Sequence, residues 1–172
     1  MKKLMIYGFR FVTTFIMKLP FNFFRVLYLR MFMKIGKHVY IGRNVDIRYP
    51  FNIEIGDFSI INKNCVLDGR GAKLVIGSNV DIAQETNIWT LEHDVNDKDH
   101  SGKAAAVVIN DHVWIASRTT ILPGVNLAEG VVVACGAVVT KSFGPMEIVG
   151  GVPARKIAMR NNPCTYELNY PL

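Results

Sequence analysis

The chain is 172 residues long, half of them hydrophobic and a fifth charged. That composition suits one domain with a real core and excludes both a pair of large catalytic domains and a disordered chain. Cys65, Cys135 and Cys164 form no CxxC pair, so neither a disulfide scaffold nor a zinc site is expected, and a cytoplasmic, reducing setting is the expectation. The net charge of +6 is unevenly placed: Lys2, Lys3, Arg10, Lys18, Arg25, Arg30 and Lys34 precede residue 35 with no acid among them, and all 14 acids come later. The remainder is nearly neutral, which argues against a nucleic-acid partner.

Residues 1–34 interleave those cations with Phe9, Phe11, Phe15, Phe21, Phe23, Phe24 and Tyr28. Arg10, Lys18 and Arg25 interrupt the apolar run well short of the ~18 uncharged residues that a membrane span needs, and the pattern is not that of a cleaved leader. Pro20 is expected to separate two short helices. Two roles suit this segment: helices lying peripherally on an anionic membrane surface at the inner face, or a cap on the domain that follows.

From residue 109 the dominant signal is a period of six, with Ile109, Ile115, Ile121, Leu127, Val133 and Val139 in strict register. Two residues ahead of most of them stands a small or β-branched residue: Val113, Thr119, Val125, Val131 and Ala137. The register recurs earlier with phase slips, in Ile35, Ile41, Ile47 and Ile53, then Ile55, Ile61 and Leu67, then Ile76, Ile82 and Ile88. Neither a helix nor a simple strand keeps a six-residue period on one side. A chain that turns a corner after each six-residue side does, and three sides close one triangular coil. About five such coils, stacked as parallel strands, make a prism roughly 25 Å tall over residues 35–157. Residues 158–172 form a tail, and the open ends need covers.

The hexapeptide units, Glu92-His93-Asp94, the VWIASRTTILPGV run at 113–125, VVTK at 138–141 and GGVPARKI at 150–157 together resemble the left-handed β-helix acyltransferases, in particular the sugar O-acetyltransferases of the maltose, galactoside and colanic-acid type. The resemblance implies an all-β, left-handed parallel β-helix with short N-terminal helices and a C-terminal cap. It also implies acetyl-CoA as acyl donor, no metal, and a homotrimer. The repeat breaks between residues 89 and 108, and a long polar interruption in a regular scaffold usually carries function.

By the resemblance, His93 in that loop is the general base that deprotonates an acceptor hydroxyl, a role suited to imidazole. Glu92, Asp94 or a backbone carbonyl could orient its ring, and Asp94 also falls to the acceptor site. The Ser117 backbone N–H resembles the oxyanion donor, Asn62 the residue that positions the acceptor, and Trp114 a wall of the site. Ala134, Gly136 and Ala137 are small enough for a pantetheine arm to lie against them, while Lys141, Arg155 and Lys156 stand where CoA phosphates need cations. The His93 surroundings depart from the Gly-His-Pro of simple sugar acetyltransferases and are closer to enzymes acting on surface-polysaccharide or lipopolysaccharide precursors, so a sugar or lipid-linked sugar is the expected acceptor. A xenobiotic acetyltransferase and a non-catalytic membrane-associated β-helix are the alternatives. A zinc site of the kind found in carbonic anhydrases of this fold would draw on His93, His100 and His112; His38 and His112 otherwise read as surface residues.

Overall fold

A computed structural model describes residues 2–169, with side chains described from residue 10 onward, so Lys2, Lys3 and Phe9 of the cationic segment lie outside that description. The repeat winds into five complete triangular coils and part of a sixth. One face carries the strands Lys34–Ile35, Ile53–Ile55, Leu74–Ile76, Val107–Ile109 and Asn126–Leu127. The second carries Tyr40–Ile41, Ile60–Ile61, Asp81–Ile82, Trp114–Ile115, Val132–Val133 and Glu147–Gly151, and the third Asp46–Arg48, Val66–Asp68, Asn87–Ile88, Thr120–Ile121 and Val138–Val139.

Every step from one of these strands to the next on its face is a parallel pairing in which the six-period aliphatics stand in register. Ile41, Ile61, Ile82, Ile115, Val133 and Val149 form one such column, and Ile47, Leu67, Ile88, Ile121 and Val139 another. Ile53, the last of the first phase, shares a strand with Ile55, and both are buried. The slip there is absorbed by a 3-10 turn at Pro50–Asn52 on the corner, which leaves the wall unbroken.

The corners explain the second signal. Val39, Val45, Cys65, Val80, Val113, Thr119, Val125, Val131 and Ala137 are buried where the chain bends inward. The residue just before each has left-handed backbone at His38, Asn44, Asn64, Asn79, His112, Arg118, Gly124, Gly130 and Gly136. Asn and Gly take that conformation readily; Arg118, with φ 62°, takes it at a cost of about 1–2 kcal/mol that the surrounding pairing offsets.

Two helices, α1 (Lys2–Ile16) and α2 (Asn22–Leu29), flank Pro20 as expected. The inward side of α2 closes the first coil. Asn22 donates Nδ2–H to the Val39 carbonyl and accepts from the Ile41 N–H, and Arg25 donates Nε–H to the Ile41 carbonyl at 2.7 Å and an Nη1–H to the Leu19 carbonyl. Arg25 is 1% exposed, and burial holds its guanidinium below its ordinary pKa. Arg25 thus satisfies the strand-edge carbonyl of Ile41 and the inter-helix carbonyl of Leu19, as expected of a cap on the first coil.

At the other end, Ala154–Met159 folds back antiparallel on Glu147–Gly151. The tail then runs along the edge between the first and second faces, touching one coil after another. Cys164 lies beside Met146 and close to Gly130, Tyr166 meets His112, and the Leu168 N–H donates to Asn79 Oδ1.

Candidate active site

The break in the repeat is an antiparallel hairpin, Leu91–His93 paired with Gly102–Ala104, springing from the edge between the third and first faces. Its base is fixed to the prism. Thr90 is fully buried and donates its hydroxyl to the Asp68 carbonyl at 2.7 Å, and its own carbonyl accepts from the Ala105 N–H. Gly71 lets both strands close on the wall, because a Cβ there would lie 2.9 Å from the Cβ atoms of Leu91 and Ala104.

His93 is held by the backbone. Its Nδ1 lies 2.8 Å from the His100 carbonyl oxygen, and its ring stacks on that of His100 with centroids 3.8 Å apart and 8° between planes. A carbonyl oxygen only accepts, so Nδ1 carries the proton and Nε2 presents a lone pair. Of the three orienting groups open from sequence, the carbonyl is the one in contact. Asp94 instead builds the turn: its N–H donates to the Ser101 carbonyl, and its carboxylate accepts from the Asn96 N–H at 3.0 Å. His100, with φ 52°, brings its carbonyl and its ring to His93 together, and no motif announced it.

The remaining candidates gather on the second face. Trp114 is 45% exposed and pairs in register with Asp81 and Val132. Asn62 donates Nδ2–H to the Ile82 carbonyl at 3.1 Å and approaches Asp81 Oδ1 at 3.4 Å. Asp81 is a site candidate that sequence reasoning missed: partial burial raises its pKa, and its only sequence signal was a carboxylate at an outward wall position. Ser117 stands at the edge between the second and third faces. Its carbonyl accepts from Gly136, and its N–H has no acceptor among the described residues.

One chain does not bring all these groups together. His93 belongs to one edge of the prism, Asn62, Trp114 and Ser117 to another face and its far edge, and the third face lies between them.

The residues assigned to CoA lie at the C-terminal end. Ala134 continues the wall column, donating its N–H to the Val149 carbonyl at 2.8 Å, and sits against Gly150. Gly136 is exposed at a corner, whereas Ala137 is fully buried with its methyl in the core, so only its backbone can face a ligand. The Lys141 ammonium lies over the Phe143 ring. Arg155 donates to its neighbour's carbonyl, and Lys156 pairs with Glu147 at 3.1 Å.

His38 stacks on Phe58 at the first corner. His112 is not the surface residue expected: the tail covers it, with Nε2 3.2 Å from the Tyr166 carbonyl and Nδ1 buried, 3.9 Å from Glu129. It is thus on a different edge from the His93 and His100 pair, and no group of three metal-ligating side chains occurs among the described residues.

Triangular coils of six-residue sides, broken once by a histidine-bearing hairpin, make a parallel β-helix that matches the left-handed β-helices of solved acetyltransferases. No family model matches the chain. A protein of Escherichia coli K12 named as a colanic acid biosynthesis acetyltransferase is 32% identical over 137 residues, covering 79% of this chain and 75% of that one. Among solved structures, a maltose O-acetyltransferase from Clostridium difficile superposes with a TM-score of 0.83 at 27% identity, over 92% of this chain and 88% of that one. A hexapeptide-repeat acetyltransferase from Vibrio cholerae, crystallised with acetyl coenzyme A, gives 0.80 at 28%, over 87% and 84%. The chain belongs to the hexapeptide-repeat acetyltransferase family.

Proposed function

We propose that this acetyltransferase moves an acetyl group from acetyl-CoA to a hydroxyl of a sugar, in the building of a surface polysaccharide or lipopolysaccharide, inside the cytoplasm. The observation that carries the reading is the His93 tautomer, set by the His100 carbonyl at 2.8 Å. With Nδ1 protonated, Nε2 is free to take the acceptor proton as the hydroxyl oxygen attacks the thioester carbon. The tetrahedral oxyanion would accept a hydrogen bond from the unengaged Ser117 N–H. Collapse expels the CoA thiolate, which recovers the proton from the His93 imidazolium, so one O–C bond forms, one S–C bond breaks and the base returns to its starting state.

In this reading Asn62 and Asp94 hold the acceptor and Trp114 walls it. Backbone at Ala134, Gly136 and Ala137 receives the pantetheine arm, and Lys141, Arg155 and Lys156 meet the phosphates. The separation of His93 from Ser117 and Asn62 within one chain supports a homotrimer, in which a neighbour's hairpin completes the site at each interface. Support for a polysaccharide role comes from the colanic-acid relative, and support for a sugar acceptor from the maltose enzyme.

The test is thiol release from acetyl-CoA with a panel of a free disaccharide, a lipid-linked sugar and a hydroxylated antibiotic. The expected result is turnover on the sugars, greatest on the lipid-linked one. Turnover confined to the antibiotic would replace the acceptor, and no turnover on any of them would remove the reading.

A further inference from the structure

The N-terminal helices present an apolar side that none of the described residues covers. Docking by Asn22, Arg25, Val26 and Leu29 fixes which side of α2 faces the first coil. Phe23, Phe24, Leu27 and Met31 are left exposed on the other side, 50–67% accessible. At about 100° per residue Phe23, Phe24 and Leu27 fall within an arc of about 100°, and Met31 follows in the turn just past the helix. On α1, Thr13 and the adjoining Met17 face inward, while Phe11, Val12 and Phe15 form a matching outward stripe. Both stripes point away from the core, the reverse of the usual surface helix. Lys18 and Arg30 are exposed beside them, whereas Arg10 lines the cleft between α1 and Asn44–Ile47 and Lys34 pairs with Glu54 at 3.2 Å; no acid occurs before residue 35.

We infer that this side of α1 and α2 is a docking surface for an anionic lipid bilayer, with the aromatic stripes in the headgroup boundary and the cations on lipid phosphates. Charge chooses the occupant. Pairing the same face with that of a second copy would bring Lys18 and Arg30 up against cations of the same segment, which has no acid of its own, whereas an anionic leaflet offers the complementary sign and an apolar layer beneath it. No described helix is long and apolar enough to cross a membrane, so the contact is peripheral. The inference is independent of the acetyl-transfer reading, because its test reads binding and not turnover.

The experiment is co-sedimentation of the full chain with vesicles of phosphatidylcholine containing 30% phosphatidylglycerol and with vesicles of phosphatidylcholine alone. Binding at least about tenfold stronger to the anionic vesicles, weakening as salt rises, is expected. The variant Phe11→Ser/Phe15→Ser/Phe23→Ser/Phe24→Ser should lose at least about tenfold of that binding, and Lys18→Gln/Arg30→Gln should lose a smaller part of it. All six positions are exposed, and circular dichroism with light scattering checks that both variants keep the wild-type fold and assembly. Three results overturn the inference: no binding to the anionic vesicles, binding unchanged in the aromatic variant, or an aromatic variant that falls to a smaller oligomer, which would make this face a subunit contact.

Discussion

Ile121 and His93 belong to two regions built on opposite terms. The wall around Ile121 is fully buried, with Ile88 on one side and Val139 on the other in the same register, and each coil repeats the contacts of the last. The hairpin around His93 has no repeat. It stands exposed, held at its base by Thr90 and Gly71 and at its tip by turn carboxylates and one backbone carbonyl. If the wall carries the stability and, as proposed, the hairpin carries the chemistry, a change in either should leave the other's property largely intact.

The largest expected effect tests the hairpin. His93→Ala should lower turnover by ~10²–10⁴, about 3–5.5 kcal/mol of transition-state stabilisation, with little change in melting temperature or in acetyl-CoA affinity. His38→Ala is the matched control, since His38 stacks on Phe58 away from the hairpin. More than a third of the wild-type rate in His93→Ala would remove that residue from the mechanism.

The wall should show the reverse. Ile121→Ala opens a cavity in a column with no room to collapse, and a loss of about 2–5 kcal/mol in denaturant unfolding is expected, with the rate per folded molecule retained. If turnover of the folded fraction fell as far as stability, the two regions would not be separable.

The smallest effect is an alkaline one, at a buried corner of the prism. Burial pushes the Cys65 thiol from 9.0 up to about 11, and its Sγ lies 3.2 Å from the Ala83 carbonyl. The unfolded chain therefore loses this proton first, and the native state is favoured fully below pH 9 and progressively less as pH rises toward 11. The contribution falls by about 1.4 kcal/mol per pH unit across that window. Comparing the pH dependence of unfolding for the wild type and Cys65→Ala isolates it; identical slopes would show that the thiol does not titrate differently in the two states.

The wall was legible because its physics is periodic: a six-residue side must put its aliphatic inward every time, so Ile109 to Val139 announced themselves and the earlier phase slips fell on corners. A loop carrying His93 was legible as the polar interruption of the repeat. What holds His93 was not, because a backbone carbonyl has no residue type and its position depends on the turn that Asp94 and His100 make. The role of Arg25 was hidden for a related reason. Sequence records that a cation is present, and only the packing of α2 reveals that this one is buried against carbonyls. The tail over His112 was invisible as well, since Cys164, Tyr166 and Leu168 follow no period and act through where the chain happens to run.

That tail alters how the prism can come apart. A stack in which each coil touches only its neighbours can unzip from a free end, one coil at a time. Here residues 164–168 lie across the sixth, fifth, fourth and third coils, ending with the Leu168 N–H on Asn79, 89 positions away in sequence. Stepwise fraying at the C-terminal end is thereby coupled to release of the strap, and the last coils open as one cooperative unit. The end that carries Lys141, Arg155 and Lys156 is the end that this lashing keeps closed.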